Sequence, residues 1–442
     1  MIKPIIIKEK IKNFNKKIKI NGDKSISIRC LILASLAIGK SKAFNLSNAG
    51  DIKSTLNCLK KLGVYYKIRK NYCEIIGKGI NSYNYKNNLT LNAGNSGTAA
   101  RLIISALINS KKIINITGDN SLKKRDMKRI IEPLKKFGAK FKNNKGTLPL
   151  SIKGSKNVKP INYQELRGSA QCKSAVMIAA LSAKGITKIK SKPSRNHTEI
   201  FFKNVLKLPI KIKKKKQFDY IEIEGKKNFK SFNYKIPGDI SSAAFPIILT
   251  LLSDNSKLTI KNVNINSTRT GLISILKLMG ATINLKNKKI YKGEKTADIF
   301  VKSCKNLKSI NCPTKFNSAA IDEFLLIFLL ASKAKGCSKF IKLQELNNKE
   351  SRRLDWSFKI LNMIGIKTKK IGNHGIKIYG KPNLKLNKNY QIKNYLKDHR
   401  IFMMTTIAAL TLGGKWKIHD YDSIKSSFPS FLNTIKKLDN KF

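Results

Sequence analysis

The chain is poor in the groups that cross-link, ligate or anchor a protein. Its seven cysteines (Cys30, Cys58, Cys73, Cys172, Cys304, Cys312 and Cys337) form an odd set without a C-x-x-C pair. Its four histidines (His197, His374, His399 and His419) lie far apart. Neither a disulfide framework nor a metal site of ordinary ligand spacing is expected, and no cofactor is called for. Long apolar runs are missing too. The longest, Phe324 to Ala331, is too short for a bilayer, and the one at Met1 to Lys8 is too short for a signal peptide. A soluble protein of the reducing cytoplasm is expected, with no membrane partner.

The scarcest class is the carboxylates: 25 acidic residues stand against 90 lysines and arginines, a formal net charge of +65. Such an excess invites a nucleic-acid reading. The lysines, however, are spread along the whole chain rather than gathered in a patch, so no specific nucleic-acid partner is expected, only salt-sensitive sticking to polyanions. The one compact run, Lys213 to Lys216, reads as a solvated hairpin between two strands.

What the sequence does have is core-forming material, 41% hydrophobic residues over 442 positions, and an internal repeat. One supersecondary unit recurs six times at spacings of roughly 70 to 80 residues. Each unit opens on Gly, Asn, Asp or Ser and enters a helix that is apolar nearly all round. A strand follows, then an amphipathic helix, then closing strands. The apolar helices are centred on Leu31–Ala37, Leu102–Ile108, Val176–Leu181, Phe245–Leu252, Phe324–Leu330 and Met403–Leu410. Helices without a polar face belong inside a fold. The amphipathic helices begin near Asp51, Asp126, Thr198, Thr270, Asp355 and Ser427, and four end at Gly63, Gly138, Gly280 or Gly365, the expected left-handed stop. Six units imply an α/β protein of two lobes, three units in each. Pro237-Gly238-Asp239 marks a crossing between lobes. Residues 1–20 read as an isolated strand borrowed by the lobe 239–442, leaving 21–238 as the other lobe.

The heads of the apolar helices carry the polar groups. Asn21-Gly22-Asp23-Lys24-Ser25, followed by Arg29, offers free backbone N–H groups, a hydroxyl and two cations at the positive end of a helix dipole, which makes an anion seat. Gly94-Asn95-Ser96-Gly97-Thr98, Lys123-Lys124-Arg125, Gly168-Ser169-Ala170-Gln171 and Ser194-Arg195 occupy the corresponding places of units two and three. Asp322-Glu323, Lys349-Glu350-Ser351-Arg352-Arg353 and Asp398-His399-Arg400 do so in units five and six. Asn95, Ser169 and Asp398 read as helix caps. Equivalent positions of repeated units should converge, gathering Lys24, Arg29, Arg125, Arg195, Lys349, Arg353 and Arg400 against few carboxylates, chiefly Asp322 and Glu350. That imbalance calls for a small polyanionic ligand.

The ordered set Gly22-Asp23-Lys24-Ser25-Ile26-Ser27, Gly94 to Thr98, Ser169 to Ala175, Thr268 to Leu272, Ile321-Asp322-Glu323, Lys349 to Arg353 and Asp398-His399-Arg400 resembles the 5-enolpyruvylshikimate-3-phosphate synthase family, its second class more than its first. The resemblance covers essentially the whole chain. It implies a two-lobed enolpyruvyl transferase fold of six βαβαββ units with an active site in the cleft between lobes. The implied activity transfers the enolpyruvyl group of phosphoenolpyruvate to the 5-hydroxyl of shikimate 3-phosphate. A monomer is expected, its lobes held apart partly by cation repulsion and closed by the anionic ligands. It implies that Lys24, Ser25, Arg29, Ser169, Ala170, Gln171, Arg195, Asp322 and Lys349 hold shikimate 3-phosphate. Lys24, Gly97, Arg125, Gln171, Arg353 and Arg400 would hold phosphoenolpyruvate. Asp322 would be the base or orienter at the hydroxyl, and Glu350 or Lys24 the acid at the methylene carbon.

Asp126 stands where the family usually has proline, which sets a carboxylate beside Arg125. Arg352 stands where it usually has aspartate, so a local ion pair with Arg353 is expected to be lost. Gly97 stands where glyphosate-insensitive relatives have alanine, so glyphosate sensitivity is implied. The related UDP-N-acetylglucosamine enolpyruvyl transferases use Lys-Asn where this chain has Lys24-Ser25, and a reactive cysteine in the loop occupied here by Lys123-Lys124-Arg125. A non-enzymatic polyanion binder and an inactive copy of the enzyme are the other readings.

Overall fold

The structure, a computed structural model, describes residues 3–142, 145–215 and 217–439. Met1 and Ile2 of the opening apolar run and Lys216 of the lysine run lie outside the described residues. The chain divides into two compact units. The first comprises Met1–Ile20, Gly238–Lys289 and Lys295–Phe442. The second comprises Asn21–Pro237 with Ile290–Glu294, the tip of a hairpin.

The second unit holds three four-stranded sheets of one design. In each, a strand such as Leu89–Asn92 runs parallel to its neighbour, Ile114–Thr117, and two antiparallel strands, Leu150–Lys153 and Lys140–Lys142, complete the sheet. In two of the three a buried helix links the parallel pair, the connection that parallel strands require; in the third, Asn233–Lys235 returns from the far end of the unit to lie parallel to Ile38–Phe44. The three buried helices are Lys24–Leu36, Gly97–Ala106 and Ala170–Ala180. In the first, every residue from Ile26 to Leu36 is buried. Each such leucine or isoleucine contributes roughly 1.5–3 kcal/mol on burial, which is why a helix apolar all round takes the centre of its unit.

The first unit has one four-stranded and two three-stranded sheets and the buried helices Ile240–Leu252, Phe324–Ala331 and His399–Leu412. Residues before Asn21 form two strands where one is expected from sequence. Ile5–Ile7 pairs antiparallel with Gly413–Ile418, and Asn15–Lys19 pairs parallel with Lys257–Asn264. In the sheet of the sixth repeat, Ile5–Ile7 takes the antiparallel place beside Gly413–Ile418. The two hydrophobic cores are separate in sequence, one built from Ile26 to Ile236 and the other from residues up to Ile20 together with those from Ile240 on.

Local signals are realised closely. Gly63, Gly138, Gly280 and Gly365 all take positive φ, between 76° and 106°. Gly22 is required by a close approach, since a Cβ there would lie 1.9 Å from the Asn45 carbonyl oxygen. The amphipathic helix expected near Thr198 is a single α-turn, His197–Ile200, running into a wider π-turn, Phe201–Val205. Lys213 and Lys214 end the strand Ile210–Lys214 instead of lying wholly in the turn, and only Lys215 of the described lysines follows it.

Candidate active site

In the second unit the polar residues sit on the first turns of three neighbouring buried helices. Asp23 caps the Lys24 helix by accepting the Ile26 N–H at 2.9 Å. Lys24, its first residue, places Nζ 3.0 Å from Asp51 Oδ2, a carboxylate that is only 8% exposed. Ser25 follows, and its carbonyl accepts a bond from Arg29 Nη1 at 3.0 Å. Arg29 also donates from Nε to Thr198 Oγ1 (2.8 Å) and from Nη2 to Ser174 Oγ (2.9 Å). These bonds tie the Lys24 helix to the Ala170 helix and to the turn that follows Arg195.

Ser169 caps the Ala170 helix, as expected, while its own N–H donates to Glu165 Oε2 at 2.7 Å. Gln171 spans to the Gly97 helix: its Nε2 donates to Thr98 Oγ1 at 2.9 Å, and its Oε1 accepts from Arg101 Nη1. The cap of the Gly97 helix is Ser96, which accepts from the Ala99 N–H, and not Asn95. Asn95 instead accepts from Arg125 Nη2 at 3.0 Å and donates to Asp119. A Cβ on Gly97 would meet Arg101 Nη1 at 2.9 Å and Arg125 Nη1 at 3.1 Å, so both guanidinium groups crowd the head of this helix.

Burial lowers the Arg101 pKa to about 10, with Arg125 and Arg129 adding repulsion and Cys172 and Asp126 opposing them. Arg195 is half-buried just before His197. Asp126 does not bond Arg125: its Oδ1 accepts the Lys128 N–H (2.8 Å) and its Oδ2 faces Arg129 Nε (3.1 Å). The aspartate is therefore used in starting the next helix, Lys128–Lys136.

In the first unit, Asp322, Lys349, Glu350, Arg353 and Arg400 come together in one connected network. Asp322 Oδ1 lies 3.1 Å from Lys349 Nζ and 3.7 Å from Arg353 Nη1, and its backbone carbonyl accepts Arg400 Nη1 at 2.7 Å. Glu350 pairs with Arg353 Nη2. Arg353 is 2% exposed and gives Nε and Nη2 to the two oxygens of Asp398, at 2.8 and 3.2 Å. Burial alone would lower the Arg353 pKa, but Asp398 and Glu350 raise it. Asp398 answers in kind: burial, the largest influence, and Glu350 push its carboxyl up, and the Arg353 guanidinium together with His399 more than offsets them and holds it below the ordinary range. The ion pair expected to be lost at Arg352 is replaced by others, since Arg352 bonds Asp355 and Arg353 has Asp398, Glu350 and Asp322.

Sequence reasoning counted two carboxylates against these cations. The structure adds Asp51, Asp398 and Glu323, each buried. Arg101 was also missed, because an arginine inside an apolar helix carries no local signal. Asp398 was legible only as a cap, a role it keeps by accepting the Arg400 N–H at 2.9 Å. Among the described residues no group of three His, Cys, Asp or Glu side chains is placed to hold a metal ion, and no helix is long and apolar enough to cross a membrane.

Both units thus present cations, hydroxyls and buried carboxylates at the heads of buried helices on a sixfold-repeated α/β scaffold, the architecture of the enolpyruvyl transferases. The enolpyruvyl transferase NikO from Streptomyces tendae has the same fold, with a TM-score of 0.77 over 99% of this chain and 97% of that one at 12% identity.

Closer relatives narrow the class. The chain belongs to the EPSP synthase (3-phosphoshikimate 1-carboxyvinyltransferase) family, whose sequence profile matches residues 8–435. It is 40% identical over 427 residues to the 3-phosphoshikimate 1-carboxyvinyltransferase of Ruthia magnifica subsp. Calyptogena magnifica, covering 95% of this chain and 94% of the relative. It is 38% identical over 431 residues to that of Petrotoga mobilis, covering 96% and 97%. EPSP synthase from Acinetobacter baumannii superposes with a TM-score of 0.85 at 33% identity, covering 98% of this chain and 97% of that one.

Proposed function

We propose that this chain transfers the enolpyruvyl group of phosphoenolpyruvate to the 5-hydroxyl of shikimate 3-phosphate and releases inorganic phosphate, a step toward chorismate and the aromatic amino acids. The observation that carries the reading is the connected set Asp322, Lys349, Glu350, Arg353 and Arg400 in a chain that matches the family over residues 8–435. Lys24, Ser25, Arg29, Ser169, Ala170, Gln171 and Arg195, with Asp322 and Lys349, hold shikimate 3-phosphate. Lys24, Gly97, Arg125, Gln171, Arg353 and Arg400 hold phosphoenolpyruvate. The enzyme works in the cytoplasm as a monomer.

The chemistry follows from charge. The 5-hydroxyl attacks C2 of phosphoenolpyruvate while C3 takes up a proton, giving a tetrahedral intermediate. Loss of a proton from C3 and cleavage of the C2–O bond then restore the double bond and free phosphate. Asp322, whose Oδ1 lies 3.1 Å from Lys349 Nζ, receives the hydroxyl proton. Glu350 or Lys24 exchanges the proton at C3, and Lys24 Nζ is held 3.0 Å from Asp51 Oδ2. Arg125, Arg353 and Arg400 stabilise the charge on the departing phosphate.

Phosphate release tests the reading. Turnover of phosphoenolpyruvate with shikimate 3-phosphate, and none with UDP-N-acetylglucosamine, is expected. Release only with the sugar nucleotide, or binding of both acids without release, would overturn it.

A further inference from the structure

Arg269, in the turn Thr268-Arg269-Thr270-Gly271, and Glu323 have no part in the chemistry above, yet both are buried. Arg269 is 2% exposed and Glu323 1%. Arg269 closes the turn from Asn266 that leads into the helix Gly271–Leu278, and its guanidinium points to the head of a different helix, Ile240–Leu252. There Nη2 lies 3.3 Å from Asp239 Oδ1, the oxygen that caps Ser241 N–H, and donates to Ser241 Oγ at 2.8 Å.

Having accepted that bond, the Ser241 hydroxyl has its proton left to give, and it donates to Glu323 Oε1 at 2.6 Å. The same oxygen lies 3.7 Å from Arg400 Nη1, and that nitrogen donates to the carbonyl of Asp322, next to Glu323 in sequence. Four helix heads distant in sequence are joined in one line of polar contacts that ends on a phosphate-directed arginine and on the backbone of the carboxylate beside it.

A buried chain of this kind polarises and orients its members more than separate bonds would. It also answers a structural question. A carboxylate with almost no exposure is costly unless a cation or donor meets it, and Glu323 Oε1 has one of each, the Ser241 hydroxyl at 2.6 Å and Arg400 Nη1 at 3.7 Å. Arg400 Nη1 in turn meets both Glu323 Oε1 and the Asp322 carbonyl, which sets the direction of the guanidinium's other N–H groups.

We propose that Arg269, Ser241 and Glu323 are positioning residues that orient the Arg400 guanidinium toward the phosphate of phosphoenolpyruvate, with the Ser241 hydroxyl as the link between Arg269 and Glu323. None of the three touches substrate. The inference rests on the assignment of Arg400 to phosphoenolpyruvate, and it adds that the Thr268–Gly271 turn acts on that substrate from behind the site.

Steady-state phosphate release by the full chain, with each substrate varied in turn, tests it. Wild-type turnover with shikimate 3-phosphate comes first, because its absence removes the function reading rather than the relay. In an active protein, Ser241→Ala should raise KM for phosphoenolpyruvate about threefold to tenfold, less than the full value of a hydrogen bond to a charged group because Arg400 keeps its bond to the Asp322 carbonyl, and leave KM for shikimate 3-phosphate within about twofold. Ser241→Thr, which keeps the hydroxyl, should restore most of the loss. Ser241→Ala added to Arg400→Lys should cost little beyond Arg400→Lys alone, because both act through one guanidinium. Equal effects of the alanine and threonine variants, equal shifts in both KM values, or full additivity with Arg400→Lys would each overturn the relay. Should Ser241→Ala not fold, Glu323→Gln, which keeps volume and the acceptor oxygen, takes its place in the same cycle. Its KM shift must then also be confined to phosphoenolpyruvate and be lost in the Arg400→Lys background.

Discussion

Gly97→Ala should weaken phosphoenolpyruvate binding without weakening the fold. Gly97 is the first residue of its helix and keeps an ordinary backbone there, so alanine fits the main chain and should add up to about 0.5–1 kcal/mol of stability. The new Cβ, however, would sit 2.9 Å from Arg101 Nη1, closer than real contacts come, and 3.1 Å from Arg125 Nη1, a tight approach. The guanidinium groups must withdraw by a few tenths of an ångström. Neither moves freely: Arg101 is held by Gln171 and the Asp126 carbonyl, and Arg125 by Asn95.

A charged hydrogen bond is worth about 1.5–3 kcal/mol. Partial loss at two arginines gives roughly 1–2 kcal/mol, or about a 5- to 30-fold rise in KM. The assay is phosphate release against phosphoenolpyruvate at saturating shikimate 3-phosphate, with thermal unfolding alongside. A KM within twofold of wild type, or a fall in melting temperature, would refute the reasoning.

Three further outcomes are expected. Glyphosate should inhibit in competition with phosphoenolpyruvate, because Gly97 leaves room at that helix head, and a rate unchanged at millimolar glyphosate would contradict this. Lys173 and Glu199 form a charge contact of 2.6 Å with side-chain exposures of 0% and 5%, so Glu199→Gln alone should cost about 3–5 kcal/mol in chemical denaturation, whereas replacing both by apolar residues of similar volume should cost much less. Asp398 has a folded pKa below its unfolded value of about 3.9; the stability it contributes is present above that pH and is lost as pH falls through the folded value. Asp398→Asn should therefore unfold at a lower denaturant concentration at neutral pH and show a shallower loss of stability below about pH 4, and an unchanged acid limb in urea titrations would sink the assignment.

The repeat was legible because its signals are local. A helix without a polar face announces its burial within two turns, as Leu31 to Ala37 does, and Gly63 or Gly280 ends a helix by a conformation that glycine adopts at little cost. The residues at the helix heads were legible for the same reason, since Asp23, Ser169 and Asp398 each cap a backbone N–H two or three residues ahead. The cap at the Gly97 helix was misplaced by one residue, from Ser96 to Asn95. Both residue types serve as caps, and only the position of Arg125, thirty residues on, directs Asn95 elsewhere.

What tertiary structure alone decided is the pairing of charge. The sequence by itself determined six buried helices, their stops and the polar groups at their heads, because hydrophobic period and capping act within a few residues. Nothing local tells Asp398 that it will meet Arg353, 45 residues away, or Glu323 that it will meet Ser241, 82 residues away. The same holds for Asp51, whose carboxylate faces Lys24 only because their two helices pack together. An ion pair between distant segments depends on which helix ends the packing brings within a few ångströms, and on water being excluded once they meet.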